Sequence, residues 1–169
     1  MSASPSQSTT ADRSASTTPY SQTSEIQNRL GALSPSTWRL LWVLWLGVIV
    51  CATTIYSNIF VGHSHWNLVQ WIPSPGVGTW WEYASDVVTN MALFAPLGFI
   101  QRPAGFVGAS RTLLWIAVTG LLVSMSVELV QVYSHNRLGS TSDLASNTLG
   151  ALCGGLTWIR AGVRYSTNS

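Results

Sequence analysis

Four long apolar runs, separated by short polar stretches, follow the first 36 residues of the chain. Their lengths predict helices at about 38–60, 79–101, 112–133 and 141–160, each long enough to cross the apolar part of a bilayer. The first and third runs are almost continuously apolar. The second is interrupted by polar residues in its first half, and the fourth begins with them and becomes glycine-rich. This pattern predicts an all-α fold, a four-helix integral membrane bundle.

The two ends of the chain differ from the apolar runs. Residues 1–36 are dominated by Ser and Thr and contain almost nothing that can be buried, which predicts a disordered N-terminal tail. We therefore expect a tail over 1–36, a four-helix transmembrane domain over 37–162 and a short C-terminal tail over 163–169.

Composition agrees with a membrane protein, since the chain is 47% hydrophobic and only 8% charged. The basic residues do not form a run or an aromatic-rich patch, so no nucleic-acid partner is expected. Cys51 and Cys153 each lie inside an apolar run, where a thiol usually serves as a small packing residue. Two histidines in one loop, His63 and His65, are too few to predict a metal site.

Arginine positions predict how the helices are oriented. Among the arginines from Arg29 onward, only Arg137, in the loop between the third and fourth helices, falls on the side opposite both termini. Arginine is enriched in cytoplasmic loops of membrane proteins. Both termini are therefore predicted to be cytoplasmic, and Arg137 to face outward.

With this orientation, polar residues lie at one level, in the outer halves of the last three helices. Spacings of three, four and seven residues place those of each helix on one face. A carboxylate that faces lipid is strongly unfavourable, so we expect these faces to surround a polar outer-leaflet pocket roofed by residues 134–140. The residues are Asp86, Asn90, Ser124, Glu128, Gln131, Asp143 and Asn147.

Some of these residues also have structural interpretations. Ser140 and Asp143 have the spacing of a capping box at the start of the fourth helix. Glu128 and Arg137 could form a structural ion pair. Further along the fourth helix, two glycines have a spacing typical of close helix packing. They are Gly150 and Gly154.

The polar motifs, in this order and spacing, resemble those of the VanZ-like membrane proteins. The motifs are Asn90-x-x-x-Phe94-x-Pro96-x-Gly98, Glu128-x-x-Gln131, Arg137 and Asp143-x-x-x-Asn147-Thr148-x-Gly150. In addition, "HWNLVQWIP" loosely resembles the loop that follows the first helix in that family. The resemblance covers about residues 38–160.

The resemblance implies a multi-pass protein of the bacterial cell membrane. The namesake of the family is associated with low-level resistance to the glycopeptide teicoplanin, although many members carry no such phenotype. A proposed wider grouping, which includes phosphatidylserine synthases, implies action on lipid head groups. In that grouping the matching pocket residues would be Asn90, Glu128, Arg137, Asp143 and Asn147.

The first functional hypothesis is a hydrolase or transferase that acts on the head group of a lipid or lipid-linked cell-wall precursor. Arg137 would hold the phosphate, and Glu128 or Asp143 would act as the base, with His135 as an alternative. Carboxylates in one pocket could instead hold Ca²⁺ or Mg²⁺, so a divalent cation is a cofactor hypothesis. The orienting and binding residues would be Asn90, Asn147, Gln131, Asp86 and Ser124.

The second hypothesis is a non-catalytic binder of a head group, a cell-wall precursor or a glycopeptide antibiotic. A third is a small proton-coupled exporter, which is disfavoured because its coupling acid should lie near the bilayer midplane. The sequence does not determine the oligomeric state.

Overall fold

A computed structural model of the chain describes residues 29–30, 33–54, 63–72, 78–106, 111–133 and 139–161. These residues form four long helices and no strand, which confirms the all-α prediction. The helices are α1 (Pro35–Thr54), α2 (Trp80–Gln101), α3 (Thr112–Gln131) and α4 (Thr141–Arg160), and a short 3₁₀ helix (Trp66–Leu68) lies between α1 and α2. Most of the predicted N-terminal tail lies outside the described residues.

Local hydrogen bonds explain where α1 and α2 begin. The α1 helix starts three residues before the predicted position, because Ser34 Oγ accepts the Thr37 amide at 3.2 Å and Pro35 suits the first helical position. At α2, Thr79 and Glu82 form a capping box, in which each side chain accepts the backbone amide of the other residue. The start of α2 therefore agrees with the prediction.

The bundle is built around α4, which packs most extensively against α2 and then against α3. The α2 and α4 helices run parallel, because Met91 faces Gly150 and Ala95 faces Gly154. A Cβ atom at Gly154 would overlap the Ala95 carbonyl oxygen, so the two backbones are in direct contact. This contact confirms the packing interpretation of the two α4 glycines.

Two groups of buried apolar side chains fill the bundle. The central group joins all four helices, and its largest fully buried members are Phe94, Ile49, Leu97 and Ile116. The second group lies at the end of the bundle where α1 begins, and there Trp38 packs edge-on against Trp158 at a centroid distance of 5.3 Å.

Three of the described helices, α1, α2 and α3, are long and apolar enough to cross a membrane. The α4 helix has similar length but is less apolar, because its inward face consists of small and polar residues such as Ser146, Asn147 and Gly150. All three residues are buried within the bundle. The chain is therefore a membrane protein, while a fourth membrane crossing stays a prediction.

Candidate functional site

The candidate site lies where α3 ends and α4 begins, and a short segment before α2 docks across it. This docked segment, residues 63–72, is held by backbone hydrogen bonds. The His65 amide donates to Val132 O at 2.9 Å, and the Gln70 amide donates to Gly139 O at 2.9 Å. In the opposite direction, the Thr141 amide of α4 donates to Gln70 O of the segment at 3.1 Å.

Side chains from the start of α4 hold the same segment. Thr141 Oγ1 lies 3.2 Å from Gln70 O and 3.0 Å from Trp71 O, and it donates to these carbonyl groups. The ring of His65 is also in contact, because its Nδ1 atom lies 3.3 Å from Val132 O. The docked segment is therefore part of the wall of the site.

Glu128 connects α3 to the first residue of the α4 cap. Its Oε2 atom accepts the Ser140 amide at 2.7 Å. In the predicted capping box, the carboxylate of Asp143 would accept that amide. Here a carboxylate from the neighbouring helix does so, while Ser140 Oγ accepts the Ser142 amide at 3.2 Å. The prediction was wrong about the partner because sequence spacing shows only contacts within one helix.

A cavity of about 250 Å³ lies between the docked segment and the ends of α3 and α4. Among the described residues that line it, Glu128 alone is ionisable, and Ser140 and Thr141 add hydroxyl groups. The volume is just below the range of about 300–1,000 Å³ typical of small-molecule sites. Most of the wall is apolar and is formed by Trp66, Trp71, Met125, Leu129, Val132 and Leu144.

A second group of polar residues is buried inside the bundle. Asn147 is only 3% exposed, and its Nδ2 atom donates to the fully buried Ser124 Oγ at 2.9 Å. Within the described residues, three buried side-chain atoms of the predicted pocket residues accept or donate no hydrogen bond: Asn147 Oδ1, Gln131 Oε1 and Asn90 Nδ2. Such atoms usually bind an internal water molecule or a polar ligand. We call Asn90, Ser124, Gln131 and Asn147 the buried polar set.

Among the predicted pocket residues, Glu128 lines the cavity, whereas the four residues of the buried polar set do not. Asp86 belongs to neither, because it is exposed, although Asn90, one turn later on α2, is buried. Helical spacing places both residues on one side of α2, but within the described part of the chain that side is covered at Asn90 and exposed at Asp86. Asp143 is half-buried in the first turn of α4 and does not line the cavity.

Two predicted site residues, His135 and Arg137, lie outside the described residues, as does the part of the predicted roof before Gly139. The docked segment was missed as a wall of the site. Its two tryptophans, Trp66 and Trp71, together with the family-like "HWNLVQWIP" stretch, were the signals that could have identified it.

Metal binding gains no support within the described residues, where no three His, Cys, Asp or Glu side chains are grouped closely enough to hold an ion. The rings of His63 and His65 lie 4.7 Å apart, and His65 contacts the Val132 carbonyl group. The divalent-cation hypothesis therefore stays a prediction.

Comparison with known protein families gives a match. A family model described as VanZ/LLP1 matches residues 15–162, which is most of the chain. The match includes all four helices and extends into the region predicted to be a tail. No curated protein and no solved structure matches the chain.

Proposed function

This chain belongs to the VanZ/LLP1 family, and from that premise we propose that it is a multi-pass membrane protein that binds a lipid in the cavity beside Glu128. The ligand is a membrane lipid or a lipid-linked cell-wall precursor, bound by its head group. In this proposal both termini are cytoplasmic and the cavity opens to the outer leaflet of a bacterial cell membrane. The observation that carries the proposal is that, among the described residues that line a mostly apolar cavity, Glu128 supplies the one carboxylate.

The cavity lining suits an amphiphile. The indole rings of Trp66 and Trp71 and the side chains of Met125 and Leu129 would contact acyl or prenyl chains. Glu128 would accept hydrogen bonds from an ammonium, amide or hydroxyl group of the head group, because a carboxylate is an acceptor. Arg137 stays the predicted contact for the phosphate.

Binding is better supported than catalysis. Glu128 Oε2 accepts the Ser140 amide, and Thr141 Oγ1 donates to the carbonyl groups of the docked segment. These polar groups therefore hold the walls of the cavity together. Among the described residues of the cavity, the candidate nucleophiles and the candidate base all have this structural role. The hydrolase or transferase hypothesis is therefore the second candidate.

The test compares phosphatidylethanolamine with phosphatidylcholine, which carry the same charges but differ in N–H donors. Native mass spectrometry of the full-length protein in detergent would measure the binding of each lipid. We expect a preference for phosphatidylethanolamine that Glu128→Gln lowers about tenfold or more, since a hydrogen bond to a charged group contributes about 1.5–3 kcal/mol. Met125→Trp, which fills the cavity, should weaken the binding of both lipids.

Asp86→Asn is the matched control, because it also removes one carboxylate but lies outside the cavity. Equal effects of Glu128→Gln and Asp86→Asn would contradict the proposal. Identification of the lipids that co-purify with the wild-type protein and with Glu128→Gln would show whether the bound ligand is a cell-wall precursor and not phosphatidylethanolamine. Conversion of a bound lipid by the wild type and not by Glu128→Gln would favour the enzyme.

A further inference from the structure

The charged residues of the described chain are divided between the two ends of the bundle. All of its acidic residues lie in the half that contains the cavity, and all of its arginines lie at the other end. The helices have about 20 residues, so the two ends are about 30 Å apart. The acidic residues are Glu82, Asp86, Glu128 and Asp143, and the basic residues are Arg29, Arg39, Arg102, Arg111 and Arg160.

Three of these arginines flank the connection between α2 and α3. Arg39 Nε donates to Ala104 O at 3.0 Å, which places the guanidinium group of α1 over this connection. Arg102 Nη1 donates to Thr112 Oγ1 at 2.8 Å and so joins the end of α2 to the start of α3. Arg111 is exposed at the N-cap of α3. We call Arg39, Arg102 and Arg111 the arginine corner.

The arginine corner has unused hydrogen-bonding capacity. A guanidinium group has five N–H donors, and the hydrogen bonds described here use one from Arg39 and one from Arg102. The N-cap of α3 has no side-chain hydrogen bond, and a helix N-terminus favours a negatively charged group. The corner thus offers several N–H donors and three positive charges, which match a phosphate group.

Apolar side chains beside the corner indicate which phosphate compound fits. Leu40 is 58% exposed, Leu114 is 59% exposed and Phe106 is 50% exposed. Free phosphate would use none of this surface, whereas acyl chains would cover it. We propose that the arginine corner binds the head group of an anionic phospholipid in the leaflet that meets this end of the bundle. This site is separate from the cavity and does not depend on its ligand.

Arg160 provides a matched control within the same end of the bundle. It follows Trp158 by two residues, which is about 200° around α4. Trp158 is buried and packs against Trp38 and Phe99, so Arg160 points away from the bundle and is exposed. Arg160→Gln therefore removes the same charge as Arg111→Gln but leaves the arginine corner unchanged.

The experiment is a titration of the delipidated full-length protein with phosphatidylglycerol and, separately, phosphatidylcholine, followed by native mass spectrometry. We expect tighter binding of phosphatidylglycerol. Arg111→Gln should weaken it about fivefold, because one arginine near an anionic lipid contributes about 1 kcal/mol. Arg160→Gln should change it little. Unchanged phosphatidylcholine binding by Arg111→Gln would show that the variant is folded.

Three results would overturn the proposal. They are equal affinity for the two lipids, equal weakening by Arg160→Gln and Arg111→Gln, and displacement of phosphatidylglycerol by millimolar inorganic phosphate. The second would show diffuse attraction by the net charge, and the third would show a site for free phosphate. Arg111→Gln should weaken phosphatidylglycerol binding by the same factor in the Glu128→Gln protein as in the wild type, so this proposal and the proposed function can fail separately.

Discussion

Gly154→Ala should separate α2 from α4 and destabilise the protein. The added Cβ atom would overlap Ala95 O, and it would lie 2.7 Å from Ala95 C and 3.0 Å from Phe99 N. All three obstacles are backbone atoms of α2, which cannot rotate away as a side chain could. Overpacking typically costs about 1–3 kcal/mol, and we expect about 3 here. Alanine gains about 1 kcal/mol over glycine in a helix, so the net destabilisation is about 2 kcal/mol.

Gly47→Ala is the matched control, because a Cβ atom there would meet nothing within 4 Å. It keeps the gain in helix propensity without the clash and should stabilise the protein by about 0.5–1 kcal/mol. The two variants therefore differ by about 3 kcal/mol and have opposite signs. Reversible unfolding of the full-length protein in mixed micelles, followed by circular dichroism, would measure both. Stability of Gly154→Ala equal to that of the wild type would refute the backbone contact.

Two further predictions concern the caps of α2 and α4. Glu128→Ala leaves the Ser140 amide without its described acceptor, which costs about 1–3 kcal/mol locally; hydrogen exchange at Ser140 should accelerate about tenfold, and unchanged protection would contradict the role of Glu128. Thr79→Ala removes the acceptor of the Glu82 amide and should lower the free energy of unfolding by about 1 kcal/mol. Thr79→Ser, which keeps the hydroxyl group, should restore most of that stability.

The sequence was sufficient for the helices because their signals are local. Run lengths located all four, and Thr79 and Ser140 mark the starts of α2 and α4. The start of α1 was placed too late, because the prediction followed the apolar run and ignored Ser34 and Pro35. On the predicted polar face of α4, Asn147 is buried, whereas Asp143 is only half-buried.

The candidate site depended on contacts between distant parts of the chain. The docked segment is held partly by hydrogen bonds between backbone groups, such as the His65 amide on Val132 O. Every residue type except proline has such an amide, so the sequence carries little information about this pairing. Likewise, helical spacing put Asp86 and Asn90 on one face, but only the extent of the neighbouring helices decided that Asp86 is exposed.

The sequence by itself therefore determined that the protein is an all-α membrane protein with VanZ-like polar motifs, because hydropathy and motif spacing are properties of a single segment. Only the tertiary structure decided that Glu128 accepts the amide of Ser140 and that the buried polar set does not line the cavity. Both depend on how α3 and α4 approach each other. At that contact Gly120 of α3 lies against Ala151 and Thr148 of α4, and motif spacing within one segment does not specify this approach.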